Sequence, residues 1–127
     1  MKLFFNRGRA PLRLVRRYRL ELRDGRWRTV DSKGTTFTAR GHFIFVRVGA
    51  VLWGARCRPY GIPGRANHAE IARGADVAFA GTIRFGNGPR RGILRNWNDA
   101  SGHYQPEAEF ASQAGLPINL FRPYASW

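Results

Sequence analysis

The sequence is poor in cysteine and acidic residues, and it has no long apolar run. Cys57 is the only cysteine among 127 residues, so neither an intrachain disulfide nor a cysteine-rich zinc site can form. We expect Cys57 to be a small, partly buried side chain rather than a nucleophile. No stretch approaches the roughly 20 apolar residues that a membrane-spanning helix needs. The apolar start of the chain is interrupted at once by Asn6 and Arg7, so it is too short for a signal peptide.

Because acidic residues are so few, the chain is strongly basic. Eight Asp and Glu residues face 22 Lys and Arg residues, which gives a net charge of +14. All of the cations except Lys2 and Lys33 are arginines, whose planar guanidinium groups bind phosphates and stack on bases. A genome rich in arginine codons accounts for the preference for Arg over Lys but not for the net charge. The charge favours an anionic partner: a nucleic acid, a dinucleotide, an acidic protein or an anionic membrane surface.

Alternating side chains predict that most of the chain forms antiparallel strands. Residues 1–17 are predicted to form an irregular basic arm. From Tyr18 apolar and charged side chains alternate, and Asp24-Gly25 is the dipeptide of a tight hairpin turn. The same reasoning predicts further strands at residues 26–30, 35–38, 43–48, 50–53, 77–85 and 93–97.

Two short helices are predicted from the residues at their ends. Asn67 and Glu70 have the spacing of a capping box, and Gly74 suits the end of that helix. Pro106 at a first helical position and Gly115 mark the second helix. We therefore predict a single α+β domain over residues 1–127, built mainly from a twisted antiparallel sheet with two short helices.

Residues 54–66 are predicted to form a long loop, because glycine and proline recur throughout them. Long loops in compact domains are often functional. We predict that the basic side chains of this loop bind substrate, namely Arg56, Arg58 and Arg65.

Two histidines stand beside the predicted helix starts. His68 follows its N-cap directly, where the positive end of the helix dipole favours a neutral imidazole that can act as a general base. His103 precedes the second helix, and a neighbouring phosphate would keep it protonated as a general acid. Such a pair is what metal-free RNA cleavage needs. His42, which begins an apolar strand, is expected to be structural.

The residues around His103 are dense in polar groups. We predict Ser101 and Tyr104 as catalytic residues that orient or bind the phosphate, and Asn98 and Arg84 as substrate-binding residues. The opposite interpretation stays open, because Asn, Asp, Ser and Gly are also the residues of a well-hydrogen-bonded turn.

Residues 41–115 resemble the C-terminal effector domains of bacterial polymorphic toxins. The specific element is Ser101-Gly102-His103-Tyr104-Gln105-Pro106, and weaker matching runs lie at residues 67–68, 72–77, 80–85 and 96–100. Such domains end Rhs, contact-dependent inhibition and filamentous-haemagglutinin-type proteins. The resemblance implies that the domain is secreted or delivered as part of a larger toxin and acts in the cytoplasm of a target cell. It also implies a cognate immunity protein, and an acidic immunity protein would complement the positive charge of this chain.

Effectors of this class include nucleases, ADP-ribosyltransferases and deaminases. A zinc deaminase is excluded, because no cysteine follows residue 57 to complete its metal site. The leading prediction is a monomeric, metal-independent ribonuclease without a cofactor, whose substrate is RNA. An enzyme that consumes NAD as substrate is the alternative, although only Glu107 and Glu109 lie near the signature. A third possibility is a non-catalytic nucleic-acid-binding module, and a weaker one is a peripheral membrane-binding domain.

Overall fold

The structure, a computed structural model, describes residues 1–57 and 66–124, and every count or absence given below refers to these residues. The predicted positions Arg58 and Arg65 lie outside them. The α+β fold is confirmed: one seven-stranded antiparallel sheet has the strand order β3-β2-β1-β5-β4-β6-β7. The strands are β1 Tyr18–Arg23, β2 Arg26–Val30, β3 Thr36–Thr38, β4 Gly41–Val48, β5 Val51–Arg56, β6 Phe79–Phe85 and β7 Leu94–Trp97. The helix α1 spans His68–Ala72, and 3₁₀ helices span Gly88–Arg90, Ala108–Ala114 and Ile118–Leu120.

The first two hairpins follow from their turn residues. Asp24 and Gly25 both take left-handed backbone angles, with φ of 51° and 76°, as the tight turn between β1 and β2 requires. Between β2 and β3, the Asp31 Oδ1 accepts hydrogen bonds from the backbone N–H groups of Lys33 and Thr35 at 2.9 and 2.8 Å. This carboxylate therefore holds the β2–β3 turn in shape.

The sheet curls strongly, so that strands far apart in it meet on one face. The rings of Trp27 on β2 and Phe85 on β6 lie 6.1 Å apart, although three strands separate β2 from β6. The backbone closes the curl, because Trp27 N–H donates to the Gly92 carbonyl and Gly92 N–H donates to the Ala39 carbonyl. We call the face that bears Trp27, Phe43 and Phe85 the concave face, and the opposite one the convex face.

One end of the concave face is filled by aromatic side chains. Phe79 and Trp97 meet edge to face, and the Phe121 ring packs 4.6 Å from Trp97. The Trp97 indole N–H donates to the carbonyl of Pro117 at 2.8 Å, so the chain after the 3₁₀ helix Ala108–Ala114 is fixed to this end. The C-terminal segment thus packs on the sheet at Phe121, which also bridges to Trp97 of β7.

The helix α1 lies on the convex face. The capping box predicted at Asn67 and Glu70 is present, and Gly74 follows the left-handed end of the helix with φ of 77°. Arg17 of the basic arm stacks on Trp53 and donates to the carbonyl of Ile71 in α1, which joins the arm, the sheet and the helix. Residues 1–17 contain none of the named strands or helices, and Arg17 docks the arm on the domain.

Two predicted boundaries are wrong. The loop predicted from residue 54 starts later, because Gly54 pairs with both Tyr18 and Phe45, and β5 continues to Arg56. The close packing of Leu20 on Gly54 explains this glycine, since a Cβ there would lie 2.8 Å from Leu20 Cδ1. The second helix is a 3₁₀ helix that begins at Ala108 after Glu107, so Pro106 precedes it instead of occupying its first position.

Candidate functional site

The turn that contains the predicted site residues is anchored to β6 through Asn98. Its side chain is 2% exposed, and Oδ1 accepts hydrogen bonds from the N–H groups of Thr82 at 2.7 Å and Ala100 at 3.0 Å. A Cβ at Gly81 would lie 1.8 Å from the Asn98 carbonyl oxygen, so only glycine allows this approach. The structure thus gives Asn98 a scaffolding position, with its amide oxygen turned into the protein.

Tyr104 and Ser101 are both buried in the same turn. The Tyr104 side chain is completely inaccessible to solvent, and its hydroxyl donates to the Ala75 carbonyl at 2.8 Å. Burial raises the pKa of Tyr104 to about 12, so the phenol stays protonated at neutral pH. Ser101 Oγ accepts a long hydrogen bond of 3.3 Å from the Tyr104 N–H.

The two predicted catalytic histidines have different surroundings. His68 Nε2 lies 2.8 Å from the Gly81 carbonyl, to which only a protonated Nε2 can donate. His68 lines a cavity of about 770 Å³ together with Asp99 and Ser101. His103 is not among the residues that line this cavity. Its ring packs on the arm, where a Cβ at Gly8 would lie 2.6 Å from His103 Cδ2. The structure therefore brings His68 and Ser101 to one cavity and His103 to the arm.

Arg84 lies on the convex face beside His42. Arg84 Nε donates to His42 Nε2 at 3.0 Å, and the two residues are direct partners across β4 and β6. Partial burial, followed by the charges of Arg84 and Arg95, lowers the pKa of His42 below its ordinary value. His42 is exposed on its strand rather than part of the core, and its ring nitrogen is used by Arg84.

A strongly basic concavity lies on the concave face. This concave cleft has a volume of about 470 Å³ and was not predicted. By strand pairing, Tyr18, Thr29, Phe37, Phe43 and Arg56 all point to this face. The cations that line the cleft come from four separate segments: Arg16, Arg40, Arg56 and Arg91.

Two of these arginines are held close together. Arg56 Nη1 donates to the Arg40 carbonyl at 3.1 Å, and the Arg56 guanidinium lies 5.0 Å from the centroid of the Phe43 ring. Burial, and secondarily the charge of Arg40, lowers the pKa of Arg56 from its ordinary value. Like charges gathered in this way favour an anionic ligand, which would relieve their repulsion.

Carboxylates do little to neutralise the concave cleft. Asp31 is the one carboxylate among its described lining residues, against four arginines, so a formal charge of +3 remains. In the described part of the chain, the ion pairs lie elsewhere: Lys2–Glu107, Arg13–Glu70, Arg19–Glu21 and Arg23–Glu21. Thr38 and Arg91 also line a smaller basic hollow of about 350 Å³, together with Arg26 and Arg28.

Sequence reasoning found only Arg56 among the four cleft arginines. The available signal was the alternation that puts Tyr18, Thr29 and Phe37 on one side of their strands. What it lacked was the pairing of β1 with β5, because these strands are far apart in sequence. Without that pairing, Arg16 and Arg40 are simply two more cations of a basic chain.

Comparison with known proteins leaves this site as the main guide to function. Neither a protein-family model, nor a curated protein, nor a solved structure matches the chain. Within residues 1–57 and 66–124, no group of three or more His, Cys, Asp or Glu side chains is placed to hold a metal ion. The helices in the same ranges are too short to cross a membrane.

Proposed function

We propose that the chain binds single-stranded RNA in the concave cleft. The observation that carries the proposal is the convergence of Arg16, Arg40, Arg56 and Arg91 on a hollow with aromatic walls, where Asp31 is the one carboxylate among the described lining residues. Guanidinium groups bind the phosphates of a strand, and aromatic faces stack on its bases.

The shape of the concave cleft favours a single strand over a duplex. Phe37 is 62% exposed and lines the cleft together with Tyr18, so a base that is not already paired and stacked can pack on either ring. The second carboxylate oxygen of Asp31, which the turn does not use, offers an acceptor to the 2′-hydroxyl of a ribose. The same cleft supports an expectation that stems from the toxin resemblance, because an acidic immunity protein could cover it and exclude RNA.

The proposal is tested by RNA binding with matched arginine variants. Fluorescence anisotropy with a labelled 16-nucleotide oligouridylate compares wild type, Arg40→Gln/Arg56→Gln and the control Arg9→Gln/Arg95→Gln. The control removes the same charge from outside the cleft. We expect the cleft variant to bind roughly 10-fold or more weakly than the control. Equal affinities for the two variants, with circular dichroism showing both folded, would rule out binding at the concave cleft.

A second candidate function, metal-independent cleavage of RNA, is favoured by one observation. His68, Asp99 and Ser101 line the same 770 Å³ cavity, and this set contains a base, a carboxylate and a hydroxyl. Incubation of total RNA with the protein in EDTA tests cleavage. If His68 acts there, His68→Gln abolishes cleavage while RNA binding in the concave cleft persists. Activity that survives in His68→Gln but disappears in His103→Ala would place the chemistry at the arm instead.

The NAD-consuming alternative has less support from the geometry. Glu107 is exposed and pairs with Lys2 Nζ at 2.8 Å, and neither it nor Glu109 lines the cavity of His68. Measuring NAD in the same incubations distinguishes this alternative directly, since RNA cleavage leaves NAD unchanged.

A further inference from the structure

A second cluster of cations lies on the convex face, behind the concave cleft. It lines a hollow of about 480 Å³, the convex cleft, to which Arg17, Lys33, Trp53 and Arg73 contribute. Strand pairing separates the two clefts, because Arg19 faces Val30 and Trp53 on one side while Tyr18 faces Gly54 on the other. The two hollows therefore open on opposite faces of the same part of the sheet.

The convex cleft has the same unbalanced charge as the concave one. The Arg17 guanidinium stacks 3.6 Å from the centroid of the Trp53 ring and donates to the Ile71 carbonyl at 2.8 Å. Burial, and then the charge of Arg73, lowers the pKa of Arg17. Arg19 has a carboxylate nearby, at 3.8 Å in Glu21, whereas the ion pairs of the described residues do not include Arg17, Lys33 or Arg73.

The β2–β3 turn joins the two clefts. Asp31 lines both of them, and the preceding residues Thr29 and Val30 line the concave and the convex cleft respectively. The strand beyond the turn, β3, is only three residues long and lies at the edge of the sheet. An anionic chain that leaves the concave cleft past the exposed Phe37 reaches the convex cleft by passing around this short edge.

We propose that one RNA strand continues from the concave cleft around the β2–β3 turn into the convex cleft. There Lys33 and Arg73 bind its next phosphates, and a base stacks on the Arg17–Trp53 pair. This inference depends on the proposed binding of RNA in the concave cleft. It adds a second binding site and the path that the strand follows between the two sites. A long strand that occupies both sites binds more tightly than a short strand that occupies one, because the two sites are linked.

The test uses two lengths of the same RNA, labelled oligouridylates of about 4 and about 16 nucleotides, which bracket common site sizes for single strands. Lys33→Gln/Arg73→Gln removes two charges of the convex cleft and leaves Arg17 on Trp53. The matched control is again Arg9→Gln/Arg95→Gln, outside both clefts. Thermal unfolding verifies that each variant is folded.

We expect wild type to bind two short oligonucleotides or one long one. In Lys33→Gln/Arg73→Gln the stoichiometry of the short RNA falls to one, and the affinity for the long RNA falls about 10-fold or more below the control. Binding of the long RNA equal to that of the control overturns the path around the turn. In that case RNA binding in the concave cleft still stands if Arg40→Gln/Arg56→Gln binds the long RNA more weakly than the control. If wild type does not bind the long RNA at all, both the path around the turn and the proposed function fail.

Polyglutamate serves as the competitor in a parallel titration. If it displaces the long RNA at equal concentration of charge, the two clefts accept any polyanion, such as an acidic protein surface, and the RNA path is overturned. Displacement that needs a large excess of polyglutamate supports the path, because stacking and ribose contacts are then part of the affinity.

Discussion

At the scale of single residues, Glu70 is a buried charge that is held by several hydrogen bonds. Its side chain is 2% exposed, and it accepts hydrogen bonds from the Arg13 backbone and guanidinium and from the Asn67 N–H. These contacts, the Arg13 side chain first, lower the pKa of Glu70 to about 2. One carboxylate thus caps α1 and fastens the basic arm to it.

We predict that Glu70→Gln loses about 2 kcal/mol of unfolding free energy at pH 7, because charged hydrogen bonds become neutral ones. A carboxylate whose pKa is lowered by folding contributes its full stability above its unfolded value of 4.5. That contribution disappears as the pH falls through about 2. Urea unfolding should therefore show a lower unfolding free energy for Glu70→Gln than for wild type at pH 7. This difference should shrink as the pH falls from 4.5 to about 2.

The exposed carboxylate of Glu109 provides the control for this experiment. Glu109→Gln should change the unfolding free energy by no more than about 0.5 kcal/mol at any of these pH values. A Glu70→Gln protein as stable as wild type at pH 7 would mean that the arm is not fastened in this way.

Tyr104 and Asn98 show the limit of reading side chains from a motif. Polar residues in a turn predicted chemistry, but the Tyr104 hydroxyl and the Asn98 amide oxygen are used to hold Ala75, Thr82 and Ala100. Sequence alone cannot tell a polar group that faces substrate from one that satisfies a buried backbone, because both need the same residue types.

At the scale of elements, the close contact between β6 and the turn after β7 requires a glycine at position 81. Gly81→Ala places a methyl group 1.8 Å from the Asn98 carbonyl oxygen, so the strand or the turn must move. We predict a loss of about 3 kcal/mol or more, or failure to fold, measured by urea unfolding. Gly102→Ala is the matched control, because no heavy atom lies within 4 Å of its new Cβ. Equal stabilities of the two variants would contradict the packing at Gly81.

Strands and caps were predictable because their signals are local. Alternation from Tyr18, the Asp24-Gly25 turn and the Asn67–Glu70 capping box each depend on residues a few positions apart, and all three are present. The concave cleft depends on contacts between distant segments, such as Tyr18 with Gly54 and Trp27 with Gly92. No periodicity encodes those, so the fold class could be predicted and the candidate site could not.

At the scale of the whole molecule, eight of the 22 basic residues line two clefts on opposite faces of one sheet. Binding of RNA by such surfaces releases the counterions that surround the strand. We predict that the logarithm of the affinity falls linearly with the logarithm of the salt concentration. Each phosphate contact contributes a slope of about −0.7 for a single strand.

Removal of two contacts in Arg40→Gln/Arg56→Gln should therefore reduce the slope by about 1.4. Anisotropy titrations between low and moderate salt measure it, with Arg9→Gln/Arg95→Gln as the reference. An unchanged slope in the cleft variant would mean that Arg40 and Arg56 do not contact phosphates.

The closure of the curled sheet at Gly92 has a consequence for solubility. The short strand β3 pairs with Arg28 to Val30 and leaves Trp27 at an open margin of β2. There the Trp27 N–H and carbonyl are taken up by Gly92 and Ala39. A margin with unsatisfied backbone groups is a template for aggregation, above all beside an exposed apolar side chain such as Leu22. Because the chain's own backbone pairs the Trp27 groups, they are not open to the strand of another molecule.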